Sequence, residues 1–118
     1  MTVLLDELFG LGFEQVTEWI RDGAKIRLAD LSWQEHGGWI YAFTVDEEVK
    51  YIGMTDRVLR SRMDNYRDAK HEQTSRLREL ILAELSTGRR VQIYGRRQRS
   101  PRVEETSLIA HYRPSWNR

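Results

Sequence analysis

The sequence predicts an α+β fold in which a small, three-stranded, mainly antiparallel sheet is flanked by helices, with a helical extension at the N-terminus. Two observations support this prediction. Short apolar runs on both sides of Asp46-Glu47-Glu48 are typical of a β-hairpin, and a third apolar run follows later in the chain. Between and around these runs, apolar residues recur at the three- and four-residue spacing of amphipathic helices.

The predicted elements follow in the order α-α-(β)-β-β-α-α-β-α. Near the N-terminus, helical spacing covers residues 4–9 and again 13–20, where Gly23 ends the second stripe, and residues 24–29 are a weaker candidate strand. The remaining strands are expected at 38–45, 48–53 and 91–94, and the remaining helices at 56–69, at 74–87 and from Pro101 to Pro114.

Charge is unevenly distributed along the chain, and an acidic N-terminal segment precedes a basic remainder. The net charge is only +1, but residues 1–48 hold ten acids and three bases, whereas residues 49–118 hold eight acids and sixteen bases. We therefore interpret residues 1–36 as an acidic helical extension packed on the core and residues 37–118 as the main domain. The extension alone is too short for a stable core, and it is a candidate surface for self-association or for a protein partner.

Composition excludes several classes of protein. The 118 residues suit one domain, and a hydrophobic content of 40% is sufficient for a packed core. No apolar run approaches the ~20 residues that span a bilayer, and no secretory signal is present. Cysteine is absent, which excludes disulfides and thiolate sites and fits a reducing compartment, so a cytoplasmic location is expected.

The predicted hairpin makes two tyrosines, Tyr41 and Tyr51, candidate site residues. If Asp46-Glu47-Glu48 is a three-residue loop, Val45 faces Val49, Phe43 faces Tyr51 and Tyr41 faces Gly53. Because side chains alternate along a strand, both phenols then point to the same side of the sheet. A loop one residue longer or shorter would place them on opposite sides.

Two charged residues interrupt apolar helical stripes. Arg62 lies between Val58 and Tyr66 on the first main helix, and Glu105 shares a stripe with Leu108 and neighbouring apolar residues on the last. A buried charge needs a partner, an anion or a metal, unless its stem alone is buried. Arg62 therefore either extends to solvent or serves a site. Glu105 either pairs with Arg62 or binds a divalent cation.

At these positions the chain resembles the GIY-YIG nuclease superfamily, over most of its length from Gly38 to Asn117. Trp39 stands where the family has its first glycine. The helix motif begins one residue later than in the repair nucleases of the family, which leaves Arg60 as an alternative to Arg62. The matching segments, in order, are Trp39-Ile40-Tyr41, Tyr51-Ile52-Gly53, Leu59-Arg60-Ser61-Arg62, Tyr66, Glu105-Thr106-Ser107-Leu108-Ile109, Pro114 and Asn117.

The resemblance implies a DNA endonuclease that hydrolyses phosphodiester bonds with one Mg²⁺ or Mn²⁺ held by Glu105. Tyr41 is the candidate general base, with Tyr51 or Tyr66 as alternatives, and Asn117 holds either local structure or a phosphate. Repair, recombination and restriction all remain open as roles, as does a non-catalytic DNA-binding module or a subunit targeted by a partner. The implied catalytic set is Tyr41, Tyr51, Arg62, Tyr66, Glu105 and Asn117.

Arginine supplies most of the positive charge, with sixteen Arg against three Lys. Its planar guanidinium suits phosphate, so the arginines that flank the third strand are candidates to contact a DNA backbone. A solvated surface is the alternative interpretation. The candidate DNA-binding residues are Arg60, Arg89, Arg90, Arg96, Arg97, Arg99 and Arg102.

Overall fold

The computed structural model describes residues 5–29, 37–98 and 101–117. The helices and strands within these ranges run α1 (Leu5–Gly10), β1 (Glu14–Asp22), β2 (Lys25–Leu28), β3 (Trp39–Val45), β4 (Glu48–Thr55), α2 (Leu59–Asp68), α3 (Glu72–Ser86), β5 (Val91–Arg97) and α4 (Pro101–Tyr112). The predicted α+β class is confirmed.

The strands form one antiparallel sheet in the order β2-β1-β5-β3-β4. The sheet has five strands, so the predicted three-stranded sheet is wrong. The two additional strands come from the segment expected to be a helical extension. Strand β1 pairs with the late strand β5, and β2 forms the outer edge beside β1.

The predicted helix over residues 13–20 is strand β1, whereas the weaker candidate strand at 24–29 is confirmed as β2. Strand β1 has neighbours on both sides and is covered to different degrees on its two faces. Thr17 and Trp19 are buried, and Ile20 is half-buried on the other face. Val16 lies at a register shift and packs against the same core as Trp19. Apolar residues on both faces of a strand reproduce the spacing of an amphipathic helix. The division near residue 36 falls outside the described residues and stays a prediction.

Two helical layers cover the sheet. On one face, α2 and α3 pack on a core that contains Trp19, Phe43, Met63 and Ile81. On the other face, the core contains Leu8 of α1 and Leu108 of α4. No helix in the described ranges is long and apolar enough to cross a membrane. The sheet is therefore buried on both faces, which explains why every residue of β3 is buried.

The β3–β4 hairpin keeps the predicted register at the tyrosines by a different route. Its turn has two residues, Asp46 and Glu47, with φ of 48° and 69°, so the expected three-residue loop and the Val45–Val49 pair are wrong. Two positive φ values are typical of a type I′ turn, whose twist matches that of the strands. A register shift follows next to Phe43, and beyond it Tyr41 pairs with Gly53 as predicted.

The C-terminal segment covers the outer edge of β4. The backbone N–H of Trp116 donates to the Lys50 carbonyl oxygen at 2.8 Å, and the Arg76 guanidinium donates to the Trp116 carbonyl at 2.7 Å. The Asn117 side chain pairs with the Ile52 backbone. An uncovered edge strand offers free N–H and C=O groups to other chains, so these contacts protect the edge.

Candidate active site

Three tyrosines meet under helix α2. Tyr41 comes from β3, Tyr51 from β4 and Tyr66 from α2, and all three side chains are buried. The hydroxyls of Tyr41 and Tyr66 are hydrogen-bonded to each other, and the Tyr66 hydroxyl also lies 3.4 Å from that of Tyr51. The hairpin register and the α2 stripe therefore bring together the three phenols that the sequence indicated. We call them the phenol cluster.

Gly53 makes room for the central phenol. It pairs with Tyr41 across the hairpin, and the Tyr41 ring extends over its backbone. A Cβ atom at position 53 would lie 2.5 Å from both Cζ and the hydroxyl oxygen of Tyr41, which is far inside van der Waals contact. Only glycine leaves the Tyr41 hydroxyl in its present place.

Arg62 points to the phenol cluster. Its Nε donates a hydrogen bond of 3.0 Å to the Tyr41 hydroxyl, and its Cζ lies 5.0 Å from the centre of the Tyr66 ring. Burial lowers the pKa of Arg62, but the neighbouring phenols of Tyr41 and Tyr66 raise that pKa more, so the guanidinium stays charged. This geometry does not fit an arginine that merely extends to solvent.

The phenols of Tyr41 and Tyr66 are protonated at neutral pH, because the pKa of each is raised. Burial raises the pKa of Tyr41 well above its usual range, and the nearby Tyr51 adds to this, while Arg62 and Tyr66 oppose it. Burial also raises the pKa of Tyr66, as do the other two phenols. A phenolate at Tyr41 therefore forms only with the help of positive charge, and Arg62 is the cation already in contact with it.

Phe43 belongs to the same environment, although sequence reasoning did not single it out. Its ring stacks on Tyr51 with centres 5.4 Å apart and meets Tyr66 edge-on at 5.3 Å. Offset and edge-on aromatic contacts restrict the rings they join. The signal was available in the hairpin register, because Phe43 is two residues from Tyr41 and directly opposite Tyr51.

Glu105 lies half-buried near the start of α4. No described residue donates a hydrogen bond to its carboxylate, and the alternative of a Glu105–Arg62 ion pair is not observed. Burial raises the pKa of Glu105, while the positive charges of Arg102 and Arg62 lower it. A half-buried carboxylate with free oxygen lone pairs is suited to bind a cation.

The described residues fit a divalent ion bound by a single carboxylate. They contain no group of three or more His, Cys, Asp or Glu side chains that could hold a metal by themselves. Mg²⁺ commonly keeps several waters and binds one or two carboxylates together with substrate phosphate oxygens. Glu105 satisfies this pattern, and sites that need a complete set of protein ligands do not match the residues present.

Asn117 contacts the backbone next to the phenol cluster. Its Oδ1 accepts a hydrogen bond from the Ile52 N–H, and its Nδ2 donates to the Ile52 carbonyl, both at 2.8 Å. Ile52 lies between Tyr51 and Gly53. These contacts use the amide to hold β4 and favour the structural alternative for Asn117.

Three of the candidate DNA-binding arginines form ion pairs with carboxylates: Arg89, Arg90 and Arg96. Arg89 lies 3.3 Å from Glu84 and 3.5 Å from Asp46. Arg90 binds both carboxylate oxygens of Glu18, at 3.2 and 2.6 Å. These two arginines precede β5, at the end of the sheet that is farther from the phenol cluster, because Tyr41 pairs with Gly95 near the other end.

Arg96 joins three segments of the fold. Its guanidinium donates to the Leu11 carbonyl at 2.7 Å and to the Glu104 carboxylate at 2.8 Å, and it lies over the ring of Phe13. These contacts assign Arg96 to packing between β5, α4 and the turn after α1. A role in DNA contact would require it to leave this half-buried position.

The other candidates differ in their surroundings. Arg60 and Arg102 are exposed and form no ion pair with a residue in the described ranges. Arg97 is exposed and lies 6.0 Å from the Trp39 ring. Arg99 lies outside the described residues. The candidate DNA-binding arginines therefore do not form a single continuous set: some are held by carboxylates and others are exposed.

Comparison with solved structures confirms the resemblance to the GIY-YIG nucleases. One matching structure is that of a glutamate-to-alanine variant of bacteriophage T4 EndoII, a GIY-YIG-family nuclease. The TM-score is 0.82 at 26% sequence identity, and the match covers 98% of this chain and 100% of that chain. No family model matches the sequence, and no curated protein matches it.

Proposed function

We propose that the protein is a DNA endonuclease that hydrolyses phosphodiester bonds with a single divalent metal ion. The main support is the match to a phage nuclease over nearly the whole chain, because it includes the strands and helices that carry the site. The phenol cluster, the Arg62 guanidinium and the half-buried Glu105 carboxylate are the groups that such chemistry requires.

Arg62 is arranged to hold a phosphate. Its Nε is engaged by Tyr41, and its two terminal nitrogens form no hydrogen bond with the described residues. Hydrolysis places extra negative charge on the non-bridging oxygens of the phosphate in the transition state. The guanidinium fork can donate two parallel hydrogen bonds to those oxygens, which is the kind of electrostatic stabilisation that contributes most to catalysis.

Tyr41 is the proposed general base. Its hydroxyl oxygen lies at the centre of the site, in contact with Tyr66 and Arg62. In this role the phenolate oxygen removes a proton from the attacking water, and the water oxygen forms the new bond to phosphorus. The bond from phosphorus to one sugar oxygen breaks, and that oxygen leaves and takes a proton from solvent. The raised pKa of Tyr41 means that the phenolate is a minor species at neutral pH, so the rate is expected to increase with pH.

Glu105 is the proposed metal ligand. When bound, Mg²⁺ or Mn²⁺ would supply positive charge to the phosphate oxygens at the reacting centre. A carboxylate must be deprotonated to bind the metal. Because the pKa of Glu105 is raised, we expect that, as the pH is lowered, metal binding is lost at a higher pH than it would be with an exposed carboxylate.

Replacing Glu105 tests this proposal. We expect Glu105→Ala to reduce Mn²⁺-dependent cleavage at least 100-fold, measured on supercoiled plasmid and on duplex, nicked, flapped and branched DNA, while the circular dichroism spectrum is unchanged. The matched control is Glu104→Ala on the same helix, whose carboxylate pairs with Arg96. Cleavage by Glu105→Ala at the wild-type rate would refute the metal assignment. Binding of DNA without metal-dependent cleavage of any substrate would indicate a non-catalytic module instead.

A further inference from the structure

A basic groove lies between the edge strand β2 and helices α2 and α3. Two adjoining depressions form it, and both are lined by Arg27 and Arg67. The smaller, with a volume of about 130 Å³, includes Arg60. The larger, about 620 Å³, extends to Lys70 and Arg78. We call this surface the β2–α2 groove.

Positive charge is concentrated in the groove. Six basic residues line it against three acidic ones, an excess of three positive charges in a protein whose net charge is +1. Local excess matters more than net charge for binding a polyanion, because charges farther apart than about 10 Å are screened by salt. The bases are Lys25, Arg27, Arg60, Arg67, Lys70 and Arg78, and the acids are Asp22, Asp64 and Asp68.

Several of these bases are available to a ligand. Arg67 pairs with Asp64 and Asp68 along α2. The remaining exposed bases form no ion pair with any residue in the described ranges; they are Lys25, Arg27, Arg60 and Lys70. Four exposed bases without an ion pair to the described residues therefore lie together at the β2–α2 groove, whereas the guanidinium groups of Arg89, Arg90 and Arg96, which the sequence favoured, are already held by carboxylates.

Helix α2 separates the groove from the phenol cluster. At 100° per residue, Arg62 lies on one flank of the buried stripe of α2, and Arg60 and Arg67 lie on the other. An α-helix with its side chains is about 10–12 Å across, which is close to the ~12 Å width of the major groove of B-DNA. A duplex can therefore reach both flanks of the exposed face of α2 at once.

We propose that the β2–α2 groove binds backbone phosphates of duplex DNA on the side of α2 opposite to the reacting phosphodiester. The inference rests on the proposed endonuclease function and names the surface that positions its substrate. From Arg60 to Arg67 the helix rises about 10 Å, which corresponds to about three base-pair steps. Contacts of this kind position the duplex without reading its sequence.

The test compares two double variants that remove equal charge. Arg27→Ala/Lys70→Ala changes the groove, and Arg89→Ala/Arg90→Ala is the matched control at the far end of β5. The dissociation constant for a fluorescein-labelled 30-base-pair duplex is measured by anisotropy in EDTA, between about 50 and 200 mM NaCl. Each phosphate contact contributes about 0.9 to the slope of log affinity against log salt. We expect the groove variant to lose about two units of slope and the control to retain the wild-type slope.

A wild-type slope in the groove variant would overturn the inference, whatever the control does. If Arg27→Ala/Lys70→Ala melts below the assay temperature, Lys70→Glu alone, in the link between α2 and α3, gives the same comparison and is expected to weaken binding more than Arg89→Glu. Failure of the proposed function is distinguishable: the wild-type protein would then cleave no DNA, whether or not it binds DNA, whereas failure of the inference alone leaves wild-type cleavage and a groove variant that binds normally.

Discussion

The phenol of Tyr41 is fully buried, yet it contacts the charged guanidinium of Arg62 and the hydroxyl of Tyr66. This arrangement depends on the absence of a side chain at Gly53, over which the Tyr41 ring lies. Gly53 and Tyr41 therefore have to be considered together. The glycine sets the position of the phenol, and the phenol sets the direction of the arginine.

Gly53→Ala is expected to reduce catalysis more than stability. The added Cβ displaces the Tyr41 hydroxyl by about 1 Å, and a misplacement of that size costs about 100-fold in rate. The measurement is kcat for plasmid cleavage well below the melting temperature. The matched control is Gly10→Ala, where an added Cβ meets no atom within 4 Å. Equal rates for the two variants would contradict the close approach as the reason for glycine.

Glu105 is expected to lower the stability of the folded protein at neutral pH. Its folded-state pKa is raised, so the folded state binds a proton more readily than the unfolded state, and stability falls as pH rises through that pKa. Glu105→Gln should therefore raise the melting temperature at pH 7 by a few degrees at most, with no gain at acidic pH where both states are protonated.

Glu104→Gln is the control for this stability comparison, because it breaks the ion pair with Arg96 and offers no such gain. Melting curves of both variants and the wild type at neutral and acidic pH give the answer. A lower melting temperature for Glu105→Gln at pH 7 would mean that the carboxylate is stabilised by contacts in the fold, and it would weaken the case for a free metal ligand.

Among the secondary-structure elements, the β3–β4 hairpin shows what sequence patterns resolve. The alternation of apolar residues predicted that Tyr41 and Tyr51 share a face, and the contacts agree. The expected three-residue loop was wrong, because the turn has two residues. A register shift between Phe43 and Thr44 compensates for the shorter turn, so the two tyrosines still share a face. A turn of two residues with positive φ favours glycine or asparagine, and Asp46-Glu47 carries neither, so local turn signals could not reveal it.

Strand β1 shows what local sequence patterns do not resolve, because it was predicted as a helix. Its apolar spacing fitted a helix because a register shift beside Val16 and a half-buried Ile20 leave no clean alternation of apolar and polar residues. The partner that makes it a strand is β5, more than 70 residues away in the sequence, as the pair Trp19 and Val91 shows. Local pattern does not contain that information.

Asn117→Ala is expected to loosen β4 without direct loss of chemistry. The variant removes two hydrogen bonds to the Ile52 backbone, each at 2.8 Å. The expected loss in the free energy of unfolding is about 1–3 kcal/mol, measured by urea denaturation, with cleavage largely retained well below the melting temperature. A variant of normal stability that cannot cleave would instead favour the alternative of a phosphate contact by Asn117.

For the whole molecule, the sequence indicated the residues that meet at the phenol cluster better than it indicated which arginines are held by carboxylates. Arg62 and Glu105 stood out because each interrupted an apolar stripe, a feature visible along one helix. Which arginines are free depends on carboxylates from distant segments, such as Glu18 beside Arg90, and only the fold brings those together. The β2–α2 groove was missed for the same reason, since β2 itself was only a weak candidate.

The central position of β5 has a consequence for how the protein folds. The β1–β2 and β3–β4 hairpins join neighbouring segments and can form early, whereas β5 must enter between them and pair with both. Contacts over such long separations slow folding, because loop-closure entropy is lost before the contacts are gained. Tyr41 pairs with Gly95 of β5. The step that completes the sheet therefore also places β5 beside Tyr41, so a chain that has not finished folding holds two hairpins and no enclosed phenol cluster.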